Sequence, residues 1–341
     1  MGTNHNFTIT PTQAASKTYR NALAAEIYAG SGMSLEEIGR IRINHPEIIA
    51  YKARIVSGIE NASGFADWTR FLLSRYSSRK VCLSLGSGLG RVEKFLVETG
   101  FAPRFDTIEL CADDNIDLRI HDKKITVRPG DLNFVSLREE SYDFILCHGV
   151  LHHLINLEHV LDQINHALTP DGLLLIYEYV GESRWQFTPE RLTNLRAAFP
   201  GVVFVPPAPW MVGGFESVRS NDLLPLISHQ FGNTCELSFS YGGIYFPFIT
   251  CTSPSEDARI REVISLDEKI AKEGTLPPCY HIGLYKKNSA IAPPMARPWS
   301  DDELNHRLNP PMPISARLIR GLRLSPAGPI LRRLKRAVYK P

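Results

Sequence analysis

Apolar positions recur at helical spacing through the first 78 residues of the chain and then change to the rhythm of short strands. "QAASKTYRNALAAEIYAG" closes on Gly30, "SLEEIGRIRI" opens with a Ser34 to Glu37 capping box, and "FADWTRFLLSRY" presents a broad apolar face. These segments predict a helical N-terminal cap over residues 1–78. From Lys80, apolar runs alternate with helical patterns, which favours a parallel sheet covered on both faces. "KVCLSL", "FDTIEL", "ITVRPGD", "YDFILCHG" and "GLLLIYEYV" predict strands, with helices over "RVEKFLVETG" and "NLEHVLDQINHAL". Thr169-Pro170-Asp171-Gly172 reads as the turn that ends the second helix.

Beyond Gly181 the pattern becomes irregular and rich in proline and aromatic residues. Residues 182–220 are expected to form a substrate-facing insertion rather than a linker. "NDLLPLISHQF" then predicts a helix despite Pro225, "TCELSFSYGG" a strand, "SEDARIREVISLDEKIAKEG" an amphipathic helix and "CYHIGLYKK" a last strand. The α/β domain would thus span 79–288, followed by a proline-punctuated, basic tail over 289–341.

Composition changes this picture in two places. The formal net charge of +2 hides a tail whose Arg317, Arg320, Arg323, Arg332, Arg333, Lys335, Arg336 and Lys340 face no acid in the last 28 residues. Its Arg/Lys and Leu/Ile residues mix at helical spacing, which suits peripheral contact with an anionic membrane surface, a packed C-terminal helix or a solvated tail. Nucleic acid is disfavoured, because no basic patch with interleaved aromatics occurs elsewhere. The six cysteines are far apart, mostly in apolar segments and without a CxxC pair, so they read as buried thiols of a reducing compartment. The opening residues lack signal-peptide character and no apolar run is long enough to span a bilayer, which gives a cytoplasmic expectation. A homo-oligomer is compatible with all of this.

The chemistry begins at "LSLGSGLGRVEKF", where Gly86, Gly88 and Gly90 follow a buried strand and lead into a helix. Missing Cβ atoms let such a loop turn tightly and approach a ligand. A dinucleotide fingerprint would read GxGxxG, and here the spacing is GxGxG, which opposes a nicotinamide-dependent oxidoreductase. Glu109 ends the second strand, where a carboxylate can accept from both hydroxyls of a ribose, and Asp131 in "GDLN" follows the third, where it can accept from an adenine amine.

With the His-rich loop of "SYDFILCHGVLHHL" and the strand of "LTPDGLLLIYEYVG", these motifs resemble the class I S-adenosylmethionine-dependent methyltransferases over roughly Lys80 to Gly181. The resemblance implies an α/β fold, a Rossmann-like, doubly wound, seven-stranded and mostly parallel sheet. It also implies S-adenosyl-L-methionine as cofactor. Gly86, Ser87, Gly88 and Gly90 would pack beneath its methionine and ribose, Glu109 would hold the ribose diol, Leu110 would pack on adenine, and Asp131 with Leu132 would recognise the adenine edge. His148, at the end of the fourth strand, falls on the cofactor side as well. One departure is Ser84, where the family often has an acid two residues before the first glycine.

A hydroxyl or ammonium acceptor must lose its proton, and the likeness to small-molecule and sugar O-methyltransferases makes His152 or His153 the base, with Glu178 as its orienter or a substrate ligand. A metal set of Cys147, His148, His152 and His153 is not expected. "EYVGESRWQFTPE", "GGFESVRSNDLLPLISHQF" and "YGGIYFPFI" resemble methyltransferases of bacterial polysaccharide and glycan assembly. Arg184, Trp185, Gln186, Glu216 and Arg219 would then meet a polyhydroxylated or anionic acceptor. The implied activity is O-methylation of a sugar or other small polar acceptor. An N-methyltransferase of a small amine or amino sugar, and a non-catalytic partner subunit with this fold, stay open beside it.

Overall fold

The computed structural model describes residues 16–31, 42–88, 90–110, 124–209, 212–290 and 299–309. The Ser34 to Glu37 capping box, Cys111 and the basic tail from residue 310 lie outside the described residues. No described helix is long and apolar enough to cross a membrane.

Three helices precede the sheet: α1 (Lys17–Ser31), α2 (Pro46–Ser57) and α3 (Phe65–Leu73). Pro46 opens α2, where its missing N–H costs nothing, and Gly58 closes it in the left-handed conformation. Strand β1 (Cys82–Leu85) leads through the glycine loop into α4 (Arg91–Glu98), followed by β2 (Phe105–Glu109), β3 (Ile125–Pro129) and β4 (Tyr142–His148). Next come α5 (Leu157–Ala167) and β5 (Leu168–Tyr179), which starts four residues earlier than its apolar run. Tyr142 pairs with Leu168 and Phe144 with Leu173, so the Thr169-Pro170-Asp171-Gly172 turn is absorbed as a bulge inside the strand.

The insertion contains α6 (Pro189–Ala198), capped by the Thr188 side chain, and leads to α7 (Ser220–Phe231), which tolerates Pro225. The chain continues through β6 (Cys235–Tyr241), α8 (Tyr245–Cys251), α9 (Ile260–Glu273) and β7 (Tyr280–Lys286), and α10 (Asp301–Leu308) is the last described helix. Two of these helices are unmarked by simple periodicity: α8 is apolar all round, and α10 is a short polar helix opened by a Ser300–Glu303 capping box.

The sheet has seven strands in the order β3-β2-β1-β4-β5-β7-β6, with the first five parallel and β7 antiparallel to both its neighbours. This is the expected doubly wound, mostly parallel α/β sheet. Alternation along its central strands fills two cores. Leu83, Leu85, Ile145, Cys147 and Ile176 pack with α5 and α7, whereas Cys82, Phe144, Leu146 and Leu175 pack against the face covered by α2, α4 and α9. A third cluster joins Tyr19 of α1 to Phe134, Phe215 and Trp299, so the first and last described helices pack over one edge of the site. Of the described cysteines, four are buried and Cys235 is exposed at the sheet edge, contrary to the reading of all as buried thiols.

The strand order reverses between β1 and β4, and ligands of such sheets bind beyond the carboxyl ends of the strands at that point. Gly86 to Gly88 follow β1 there, and Gly149 follows β4.

Candidate active site

Two cavities flank the reversal point. The first, of about 200 Å³, is lined by Gly86, Gly88, Glu109, Leu110, Asp131 and Leu132, six of the residues assigned to the cofactor, together with Glu26 and His153. The second, of about 630 Å³, is lined by His148, His152, Glu178, Trp185 and Glu216 and by a group of tyrosines. Gly149 borders both.

The glycine loop is built for close approach. Gly86, Gly88 and Gly90 all have positive φ, and a Cβ on Gly86 would come within 2.3 Å of Val150 Cγ2. Glu109 Oε2 accepts the Gly88 N–H at 2.8 Å, which ties the end of β2 to the loop. The Ser87 hydroxyl is buried without a protein partner, and Gly90 caps α4 with its N–H on Ser87 O. Asp131 is partly engaged already: Oδ2 accepts from Tyr19 OH at 2.6 Å, and Oδ1 accepts the Asn133 N–H at 3.0 Å. An orphan hydroxyl, a side-chain-free cradle and carboxylates at the ends of β2 and β3 fit a nucleoside with a polar amino-acid end.

Ser84 is engaged within the protein. Its hydroxyl donates to Glu93 Oε1 at 2.6 Å, which brings a buried carboxyl from α4 to the position where the strand itself has none. Burial pushes that carboxyl up to about 7, the Ser84 hydrogen bond and a backbone N–H opposing the rise.

The histidines sit on a short 3₁₀ turn, Leu151–His153. Glu178, 1% exposed on β5, accepts the backbone N–H groups of Val150 and Leu151 on Oε1 at 2.8 and 2.9 Å, and its Oε2 lies 2.7 Å from His152 Nδ1. Burial favours its neutral form, but His152 and these N–H groups outweigh it and hold the carboxyl below its ordinary range. Nδ1 of His152 therefore carries the hydrogen toward Glu178, and Nε2 points away, 3.8 Å from Glu216.

His153 is differently placed. Its Nδ1 stands 2.7 Å from Glu26 Oε1 on α1, a charge pair rather than an aligned hydrogen bond, and its Nε2 is 3.6 Å from Glu216. Burial lowers its basicity, but the Glu216 and Glu26 carboxylates prevail and raise it to about 9. His153 is thus a cation that ties α1 to the insertion, already protonated at neutral pH. His152, His153 and Glu216 each offer a ligand atom within 4.8 Å of the others, a set that can take a metal ion although the sequence reading expected none.

His148 belongs to the second cavity, not the cofactor side: its ring packs on Tyr177 at 4.8 Å, and burial together with Lys52 pushes it down to about 4. Among the insertion residues, Trp185 and Glu216 line the second cavity. The other three are occupied elsewhere. Arg184, 5% exposed, donates to the carbonyls of Val212, Gly213, Gly214, Glu216 and Arg307. Arg219 is buried against Glu158, Asp222 and the Ile155 carbonyl, and Gln186 Nε2 donates to Arg184 O and Pro207 O. Arg184, Trp185 and Ser217 hold positive φ, so these bonds maintain a strained loop that delivers Glu216. Sequence patterning missed Glu26 and Lys52, which occupy ordinary polar positions of helices, and Tyr19, whose buried ring reads as helix packing.

Residues 59–206 match the family described as a methyltransferase domain. The match covers less than half of the chain. It supports methyl transfer from S-adenosylmethionine as the activity of this stretch. No curated protein matches the sequence. Among solved structures, the chain is similar to the S-adenosylmethionine-dependent methyltransferase from Mesorhizobium loti, at 19% identity and a TM-score of 0.41 over 65% of this chain and 98% of that one. It is similar to the PH0226 protein from Pyrococcus horikoshii OT3, at 14% identity and 0.40 over 75% and 100% of the two chains. Phosphoethanolamine N-methyltransferase 2 of Haemonchus contortus, in complex with S-adenosylmethionine, gives 11% identity and 0.41 over 76% and 61%.

Proposed function

We propose that the methyltransferase O-methylates a small acceptor held in the second cavity, with His152 as the proton acceptor. The observation that carries this reading is the Glu178–His152 pair at 2.7 Å, which fixes one imidazole nitrogen and leaves Nε2 facing the acceptor cavity. Gly86, Ser87, Gly88, Glu109 and Asp131 would hold the cofactor in the first cavity, which meets the second at Gly149. S-adenosylmethionine supplies an electrophilic methyl group on a sulfonium and leaves as S-adenosylhomocysteine.

The chain's own residues align the acceptor and manage one proton. The acceptor oxygen gains a bond to the methyl carbon as the sulfur–carbon bond breaks, sulfur keeps that electron pair, and the hydroxyl proton passes to His152 Nε2. Glu178 then faces an imidazolium across its 2.7 Å contact and stabilises it. His153 cannot take this role while it is a cation between Glu26 and Glu216. Its part is to hold α1 over the cofactor cavity.

The resemblance to glycan methyltransferases suggests a sugar acceptor, and Trp185 supplies stacking surface for one. Arg184, Gln186 and Arg219 do not supply the hydrogen bonds that a polyhydroxylated ring needs. A test uses methyl-tritiated S-adenosylmethionine with nucleotide sugars, lipid-linked glycans, phenols and amines. Labelling of a hydroxyl acceptor by the wild type, lost by about 100-fold or more in His152→Gln with unchanged cofactor affinity, is the expected result. Labelling of amines alone, or wild-type rates in His152→Gln, would overturn the reading.

A further inference from the structure

The second cavity has a chemical polarity that narrows the acceptor further. Its walls are ring faces, with Tyr177, Tyr179, Trp185, Tyr245, Phe246 and Tyr280 all lining it. Tyr245 and Tyr280 lie within 5° of parallel, their centroids 6.0 Å apart. Burial, and then the neighbouring Tyr177, keep both phenols far above their ordinary pKa, so these walls are uncharged. Such a surface takes a flat ring by stacking.

The ends of the cavity differ in sign. At one end Lys52 of α2 places Nζ 4.4 Å from the centre of the Tyr177 ring, beside a His148 that is neutral at pH 7. The other described lining cation is Arg42, whose guanidinium is spent on Asp257 and on the carbonyls of Ile249 and Thr252. At the opposite end His152 stands beside Tyr179, ring centres 6.2 Å apart, with Glu178 and Glu216 adding negative charge. Tyr177 and Tyr179 are two residues apart on β5 and point to the same face, so Lys52 and His152 each stand beside one of two neighbouring wall rings.

Resting on the methyl-transfer reading above, we propose that the acceptor is a hydroxylated aromatic carboxylate. Its ring lies among the tyrosines, its carboxylate at Lys52 and its hydroxyl at His152. The carboxylates at the His152 end repel the acceptor's own carboxylate and so fix its direction. In the reaction the phenolic oxygen gains the methyl carbon, the sulfur–carbon bond breaks with its electron pair left on sulfur, and the phenolic proton moves to His152 Nε2. The product is a methyl ether.

The test uses the full chain saturated with S-adenosylhomocysteine and titrates 4-hydroxybenzoate and its neutral amide, 4-hydroxybenzamide, by calorimetry. The wild type is expected to bind the acid at least ten times more tightly than the amide. Lys52→Met is expected to abolish that preference without changing the affinity for the amide or for S-adenosylhomocysteine, and Lys52→Arg to retain it. With methyl-labelled S-adenosylmethionine, the label should appear in 4-methoxybenzoate. Equal binding of acid and amide, binding of neither, or an equal loss of both in Lys52→Met would overturn the inference. If the same preparation labels a sugar hydroxyl while neither probe binds, the acceptor class is wrong and the methyl-transfer reading stands. If S-adenosylhomocysteine itself does not bind, both are overturned.

Discussion

Glu178 Oε2 lies 2.7 Å from His152 Nδ1, and the other oxygen of the same carboxylate gathers the N–H groups of the turn that carries the histidine. One side chain therefore sets both the backbone position and the ring tautomer of His152. Glu178→Gln keeps the shape but presents either a carbonyl or an amine to Nδ1, and it gives up the charge that stabilises the imidazolium. Turnover is expected to fall by about 100-fold to 10,000-fold, with cofactor affinity changed only a few-fold. Steady-state rates beside calorimetric titration check this. A variant with wild-type turnover would show that the pair is only scaffolding.

Arg184 makes a different prediction, because its guanidinium is a buried brace rather than a substrate ligand. Arg184→Met leaves the carbonyls of Val212, Gly213 and Gly214 without their donor and lets the strained loop relax. A loss of about 3–5 kcal/mol in unfolding free energy is expected, read by urea denaturation, together with lower turnover as Glu216 drifts. Trp185→Ala, by contrast, should weaken acceptor binding with little effect on stability.

Glu93 predicts a pH effect of defined sign. Its carboxyl titrates at about 7 in the folded chain because it is buried, against 4.5 ordinarily. The folded state thus prefers the protonated form, a stability contribution fully present below pH 4.5 and lost as pH rises through 7. Glu93→Gln mimics the neutral form. Its melting temperature should exceed that of the wild type at pH 8, by up to roughly 3 kcal/mol of stability, and the difference should vanish below pH 4.5. Melting curves across that range decide it.

The glycine loop separates two kinds of substitution. Gly86→Ala drives a Cβ into Val150 at a positive φ, so it should both destabilise the fold and abolish S-adenosylmethionine binding. Gly88→Ala meets open space at φ +53 and should cost about 1 kcal/mol while weakening the cofactor only through its contact surface. Thermal shift with and without the cofactor distinguishes them.

Much of this architecture was legible because buried parallel strands write continuous apolar runs and the GxGxG loop punctuates one of them. Glu109, Asp131, Gly86 and Gly88, singled out from the motif, line a single cavity. What could not be read are contacts made at long range by ordinary residues. Glu26 reaches His153 from α1, Tyr19 reaches Asp131 across 112 positions, and Lys52 enters the acceptor cavity from α2. Arg184 and Arg219 were misassigned for the same reason: an arginine in an irregular loop has one spelling whether it binds a ligand or the loop's own carbonyls. His148 lies one residue before Gly149, which borders both cavities, and chain order alone cannot say which of them a strand-end side chain enters.

The most direct test of the account is a crystal structure with S-adenosylhomocysteine bound. The adenosine is expected in the cavity between Glu109 and Asp131, with its sulfur facing the tyrosine-lined cavity across Gly149 on the side of His152 Nε2. A nucleoside lodged among the tyrosines, or a sulfur turned away from His152, would contradict it.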